Sequence, residues 1–254
     1  MLTSRIKREP LMDLRYSVRR TLPNTCTFGN MFGGFVSVIL ASQGDYFHAI
    51  FFIAIAAIAD ALDGIMARLT KTSSKFGVEL DSLADVISFG FAPAFLMYNA
   101  HLKQFGYWGM LVAAVYIFAG AFRLARFNVE LVGFDKNYFN GLPIPTAALT
   151  IISFEFMHQI NNGNPQMTDL TSLLLVLSVA FLMVSHVKYD TLPNFTLAGI
   201  KQKPVFISFL IISALTVIWS RGYATFYMFL LFILFGIMRY IFLFFRMGMK
   251  ASNT

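Results

Sequence analysis

A lone cysteine, Cys26, rules out an intrachain disulfide and any cysteine-based metal site. Charge is equally scarce. Asp, Glu, Lys and Arg together make up 13% of the residues, where a soluble domain carries about a quarter. The four histidines, His48, His101, His158 and His186, are scattered without ligand spacing and define no site by themselves. No internal repeat, low-complexity tract or second domain is visible. No short apolar core precedes a small-residue cleavage site, so the N-terminus does not read as a cleavable signal peptide.

What is present is apolar. Of the 254 residues, 57% are hydrophobic, with 29 Phe and 13 Met, and the mean hydropathy is +0.66. The apolar stretches reach the roughly 20 residues that a helix needs to cross a bilayer. Eight helices are predicted, near 24–43, 46–69, 79–99, 106–127, 143–160, 169–187, 204–220 and 223–246. Only Trp219-Ser220-Arg221-Gly222 separates the last two. The expected fold is all-α, a polytopic transmembrane bundle of about eight helices.

A net charge of +7 could signal nucleic acid, but its placement points to a membrane surface. Six of the first twenty residues are basic (Arg5, Lys7, Arg8, Arg15, Arg19 and Arg20), ahead of the first apolar span. Among them Leu11, Leu14, Val18 and Leu22 recur at steps of three or four, and Pro10 suits a first helical turn. Residues 1–22 therefore read as an N-terminal amphipathic interfacial helix on anionic lipid. A disordered basic tail is the alternative. With the N-terminus in the cytoplasm, eighteen Lys and Arg fall on the cytoplasmic side and only Lys103 and Arg221 outside.

Four aspartates, Asp60, Asp63, Asp81 and Asp85, are embedded at the predicted cytoplasmic ends of helices two and three. An unpaired carboxylate at membrane depth is costly, so such residues are functional candidates by default. Asp60, Asp63, Gly64 and Ala67 share one helix face, and Gly77, Asp81 and Asp85 step by four along the next helix. Carboxylates converging in low dielectric repel one another unless neutralised, and Arg68 alone is too little. Hard oxygen ligands at this density point to two divalent cations, Mg²⁺ or Mn²⁺, in phosphate chemistry. The competing reading is small-residue packing around a buried ion-pair network.

The spacing Asp60-x2-Asp63-Gly64-x2-Ala67-Arg68-x8-Gly77-x3-Asp81-x3-Asp85 resembles the signature of the CDP-alcohol phosphatidyltransferase family at every fixed position. That resemblance implies that Asp60, Asp63, Asp81 and Asp85 are metal ligands holding the CDP diphosphate through two divalent ions. It makes Asp85 also the candidate catalytic base for the acceptor hydroxyl. It assigns Gly64, Ala67, Arg68 and Gly77 to CDP binding. Asn24, Thr27 and Asn30 are similar to the family's Pro-Asn-x2-Thr-x2-Asn start and would contact the nucleotide, although capping and packing explain Asn24 and Thr27 equally well. The resemblance covers about 20–190, which makes 23–190 the expected core and 191–254 additional C-terminal helices.

Three further runs look like bacterial and archaeal phosphatidylserine synthases: 81–94, Phe122-Arg-Leu-Ala-Arg-Phe-Asn128 and Asn140-Gly-Leu-Pro-Ile-Pro-Thr-Ala147. Arg123 and Arg126, three apart, offer planar forks suited to the serine carboxylate. Lipid-phosphate anchoring and plain positive-inside charge are their rival roles. Lys188 either lines the acceptor pocket or marks the interface. The expected reaction is transfer of a phosphatidyl group from CDP-diacylglycerol to L-serine, releasing CMP. Other acceptors (glycerol 3-phosphate, inositol, choline) and a divalent-cation transporter are the alternatives. The expected setting is the cytoplasmic (inner) membrane among membrane lipids, with the active site facing the cytoplasm and no nucleic acid partner. Family resemblance implies a homodimer.

Overall fold

The computed structural model describes residues 9–70, 75–131, 138–161, 165–190, 216, 219–220 and 222–251. Side chains are described within 25–66, 76–129, 141–160, 168–187, 189, 216, 219–220 and 222–242. The first helix, α1 (Glu9–Ser42), is 34 residues long, about 51 Å at 1.5 Å per residue. The predicted interfacial helix and first span are thus one element, continuous through Pro23. Proline there removes one main-chain hydrogen bond without ending the helix. Only its second half, Thr25–Ser42, is apolar enough to span.

A tight turn at Gly44, whose φ is 82°, leads into α2 (Tyr46–Thr70). The third predicted helix is not uniform. It consists of α3 (Lys75–Asp85), a π-helical turn at Val86–Phe91, and α4 (Ala92–Ala100). After a short 3₁₀ turn, Leu102–Phe105, come α5 (Tyr107–Leu131), α6 (Ile144–Asn161), α7 (Pro165–Val184) and α8 (Thr225–Ala251). The predicted helix at 204–220 lies outside the described residues apart from 216 and 219–220. Two three-residue strands, β1 (Tyr138–Asn140) and β2 (Lys188–Asp190), pair antiparallel with Phe139 opposite Tyr189. Strands this short show no alternation that a sequence pattern could report.

Among the described residues, five segments are long and apolar enough to cross a membrane: Thr25–Ser42, Tyr46–Met66, Phe76–Ala100, Tyr107–Val129 and Thr225–Phe242. The chain is a polytopic helical membrane protein. Lipid tails give apolar helices no hydrophobic reason to associate, so close backbone approach through small residues takes over. Ala49, Ala56, Ala84, Ala92, Ala94, Ala147 and Ala148 are all fully buried. Gly34 of α1 meets the π turn so closely that a Cβ there would lie 2.7 Å from Ser88 Cα. The bulky residues go outward, and Phe28, Phe32, Phe35, Phe118, Phe122 and Phe181 are more than half exposed. These phenylalanines give the helices an apolar outer surface suited to lipid, while Phe89 and Phe154 are buried in the core.

At the end of the bundle where α4 stops, His101 joins three helices. Its Nε2 lies 2.5 Å from Glu155 Oε2 of α6 and its Nδ1 2.8 Å from Asp169 Oδ1 of α7. Gln159 Nε2 donates to the other Glu155 oxygen at 2.7 Å, and the His158 ring meets His101 edge-on at 5.0 Å. Glu155 is fully buried. It is a fifth embedded acid beside the four aspartates, and His101 is no scattered residue.

Candidate active site

The opposite end of the bundle holds the aspartates. α1 packs against both α2 and α3 there, and the close approach at Gly34 and Ser88 brings α1 onto the π turn. Oxygens of Asp60, Asp81 and Asp85 all lie within 4.8 Å of one another. At that separation two unit charges repel by roughly 3.5 kcal/mol at an effective dielectric constant of 20. One Asp81 oxygen, Oδ1, is buried with no hydrogen-bond partner. A crowded set of hard oxygen donors with an unsatisfied lone pair is what a divalent cation would complete, and these residues fit such a group.

Asp63 takes a different position. It is buried, on α2 like Asp60, and accepts a hydrogen bond from Thr27 Oγ1 of α1. Asp85 accepts from Asn30 Nδ2 of α1 at 3.1 Å. Thr27 and Asn30, expected at the nucleotide, therefore engage two of the aspartates directly. Sequence spacing pairs residues within a helix and cannot reveal this contact between helices. Gly64 is exposed and Gly77 half-buried on the facing helix. The side chains of Asn24, Ala67, Arg68 and Lys188 lie outside the described residues.

The two arginines expected to act together are separated. Arg123 is buried, with its guanidinium carbon 5.3 Å from the Phe127 ring centroid, and lies within electrostatic reach of Asp85. Arg126 turns to the carbonyl end of α7. Its Nη1 donates to Val184 O at 3.0 Å, and its Nη2 to Ser185 O at 3.2 Å and Met183 O at 3.4 Å. The last carbonyls of a helix have no partners within the helix, so a guanidinium fork is a natural cap for them. Gly141, with φ 80°, completes this corner, because a Cβ there would lie 2.2 Å from Met183 O. Asn128 Nδ2 donates to Ser82 Oγ at 2.9 Å, which ties the end of α5 to α3.

A polytopic helical bundle with three converging carboxylates at one end defines a membrane protein built around an acidic polar site. Comparison with known proteins gives that class its family. Residues 20–185 match the CDP-alcohol phosphatidyltransferase family, and the chain belongs to it. The chain is 37% identical over 225 residues to a CDP-diacylglycerol--serine O-phosphatidyltransferase of Helicobacter pylori, covering 87% of this chain and 91% of that one. It is 32% identical over 228 residues to the protein of the same name from Methanocaldococcus jannaschii, covering 89% and 98%. It is 39% identical over 170 residues to an archaetidylserine synthase of Methanothermobacter thermautotrophicus, covering 66% and 69%. The protein is an enzyme, a transferase of phospholipid biosynthesis.

Proposed function

We propose that the protein transfers a phosphatidyl group from CDP-diacylglycerol to L-serine, giving phosphatidylserine and CMP. The observation that carries this reading is the convergence of Asp60, Asp81 and Asp85 in a chain of this family. Serine as the acceptor is supported by the names of the three relatives and by the buried Arg123 near Asp85, a planar cation suited to a carboxylate.

Asp60, Asp63, Asp81 and Asp85 would hold two divalent cations, Mg²⁺ or Mn²⁺. When bound, these would neutralise charge on the diphosphate during transfer. The chain's own residues do the rest. Gly64, Ala67, Arg68 and Gly77, with Asn24 and Thr27 of α1, frame the nucleotide. Arg123 orients the serine carboxylate. Asp85 accepts the proton from the serine hydroxyl as its oxygen forms a bond to the lipid-linked phosphorus, and the bond from that phosphorus to the CMP oxygen breaks. Arg126, engaged with α7, serves the acceptor by holding the wall beside it, and Lys188 stays a candidate for that wall.

We read the aspartate end and the N-terminus as cytoplasmic, in the inner membrane, from the bias of Lys and Arg toward that side. The homodimer that the resemblance implies is testable by light scattering of the detergent-solubilised protein. The decisive assay supplies purified protein with Mg²⁺ or Mn²⁺, CDP-diacylglycerol and one alcohol at a time, and measures CMP. Release with L-serine alone is the expected result. Release with another alcohol would overturn the acceptor. No release from folded protein would leave the cation-transporter reading.

A further inference from the structure

We propose that Asn30 is a positioning residue that fixes the carboxylate of Asp85, and that Ser88 of the π turn fixes Asn30. The inference rests on the reading of Asp85 as a working carboxylate of the transferase.

Asn30 is fully buried and donates through Nδ2 to Asp85 Oδ1 at 3.1 Å. Its main-chain carbonyl lies 3.0 Å from Ser88 Oγ, whose single hydroxyl proton is shared between it and Ala84 O at 2.8 Å. Ser88 is fully buried as well. It lies in the π turn Val86–Phe91, which begins at the residue after Asp85. π turns widen a helix by one residue and recur at functional sites. Here the turn presents Ser88 to α1 at the point where Gly34 allows contact; a Cβ on Gly34 would lie 2.7 Å from Ser88 Cα. Asn30 and Gly34 are four apart, one turn on the same face of α1.

These contacts form a chain from Ser88 to Asn30 to Asp85 that crosses from the π turn to α1 and on to the end of α3. An aspartate side chain has two rotatable bonds. The helix backbone restricts its rotamers but leaves more than one, and a donor from a second helix selects among those. The arrangement also explains why a neutral amide is useful at this place. It supplies an N–H to the carboxylate without adding a charge to a crowded acidic cluster. The bond engages Asp85 Oδ1 and leaves Oδ2 without that donor. A residue acting in this way changes the rate of the chemical step more than it changes substrate affinity.

The test uses the full chain in detergent, with Asn30→Ala, Asn30→Ser, Ser88→Ala, the double variant Asn30→Ala/Ser88→Ala, and Asp85→Asn as reference. CMP release gives kcat and KM, manganese titration followed by electron paramagnetic resonance without substrates gives cation affinity, and thermal unfolding reports the fold. Asn30→Ala is expected to lower kcat about 10- to 100-fold, as misplacement of a reacting group does, with both KM values within about twofold. Manganese affinity should fall several-fold with the melting temperature nearly unchanged. Ser88→Ala should lower kcat by a smaller factor, about threefold, and should cost nothing further in the Asn30→Ala background, because it acts through Asn30. Should Asn30→Ala not fold, Asn30→Ser and Ser88→Ala carry the same comparison.

Full kcat in Asn30→Ala, a loss confined to KM, or additive losses in the double variant would each overturn the proposal. A fully active Asp85→Asn would instead overturn the reading beneath it, and the positioning role with it. An inactive Asp85→Asn beside an unaffected Asn30→Ala would overturn the positioning role alone.

Discussion

His101 and Glu155 form a buried ion pair, Nε2 to Oε2 at 2.5 Å, at the end of the bundle remote from the aspartates. With Asp169 on Nδ1 at 2.8 Å, both ring nitrogens face carboxylates, and both can donate only as the imidazolium. As the imidazolium, this one ring closes α4, α6 and α7 against one another. Tyr46 of α2 and His158 and Gln159 of α6 complete its surroundings.

Stability should depend on this ring through pH. Burial alone would lower the His101 pKa, but hydrogen bonds and charge from Glu155 and Asp169 outweigh it and raise it above 6.5. A group raised on folding contributes stability fully below its unfolded value, about 6.5, and loses it as pH rises through the folded value. The melting temperature in detergent should fall as pH increases above that point, and His101→Gln should flatten the profile. Removing the ring charge leaves two carboxylates facing each other and should cost about 3–5 kcal/mol. An unchanged profile in His101→Gln would show that the pair does not titrate as described.

Asp60→Asn and Asp81→Asn should act in opposite directions on activity and on stability. Each should reduce CMP release at least about 10²-fold, by removing an oxygen ligand from the site of charge development. At pH 8 without divalent cations, each should raise stability on the order of 1–3 kcal/mol, by relieving like-charge repulsion. The rise in melting temperature produced by added Mn²⁺ in the parent protein should shrink in both variants. A destabilised cation-free variant would show that the cluster is not repulsive.

Arg123 and Arg126 should separate in kinetics although they stand three apart in sequence. Arg123→Lys keeps a charge but loses the planar fork, and should raise the KM for serine about tenfold with little change for CDP-diacylglycerol. Arg126→Ala should instead destabilise by about 1–3 kcal/mol, because it uncaps the carbonyls of Met183, Val184 and Ser185. Serine saturation curves and thermal melts of both variants check this. A serine-specific KM effect in Arg126→Ala would return that residue to the acceptor pocket.

Gly34→Ala should be among the most harmful small changes in the bundle. Its new methyl would lie 2.7 Å from Ser88 Cα, which is main chain and cannot rotate away. Overpacking of this kind costs about 1–3 kcal/mol, and it would push α1 off the turn that follows Asp85. Gly44→Ala has open space around it and should cost only the strain of its positive φ, about 1 kcal/mol. Melting temperatures and CMP release for the pair distinguish a packing requirement from a turn requirement.

Much of the architecture was legible in the order of residues. Apolar runs near 20 residues define membrane helices without reference to their neighbours, because every main-chain bond is satisfied inside the helix. The aspartates were legible for a related reason. Charge is so rare in these runs that four acids at helical spacing stand out. By the same logic Glu155, alone within an apolar helix, was a visible signal, but its partner His101 lies 54 residues away along the chain, and Asp169, the second carboxylate on that ring, lies 68 residues from His101.

What the sequence by itself determined is local: where the chain is helical, which faces are polar, and which carboxylates share a face, all set by periodicity and by the cost of charge in lipid. Tertiary structure alone decided which helices bring their polar atoms together. It gave Asn30 to Asp85, Thr27 to Asp63, Arg126 to the end of α7, and His101 to Glu155. Each of these contacts joins separate helices, and their register depends on backbone approach at small residues such as Gly34 and Gly141, where an ångström decides whether two polar atoms meet.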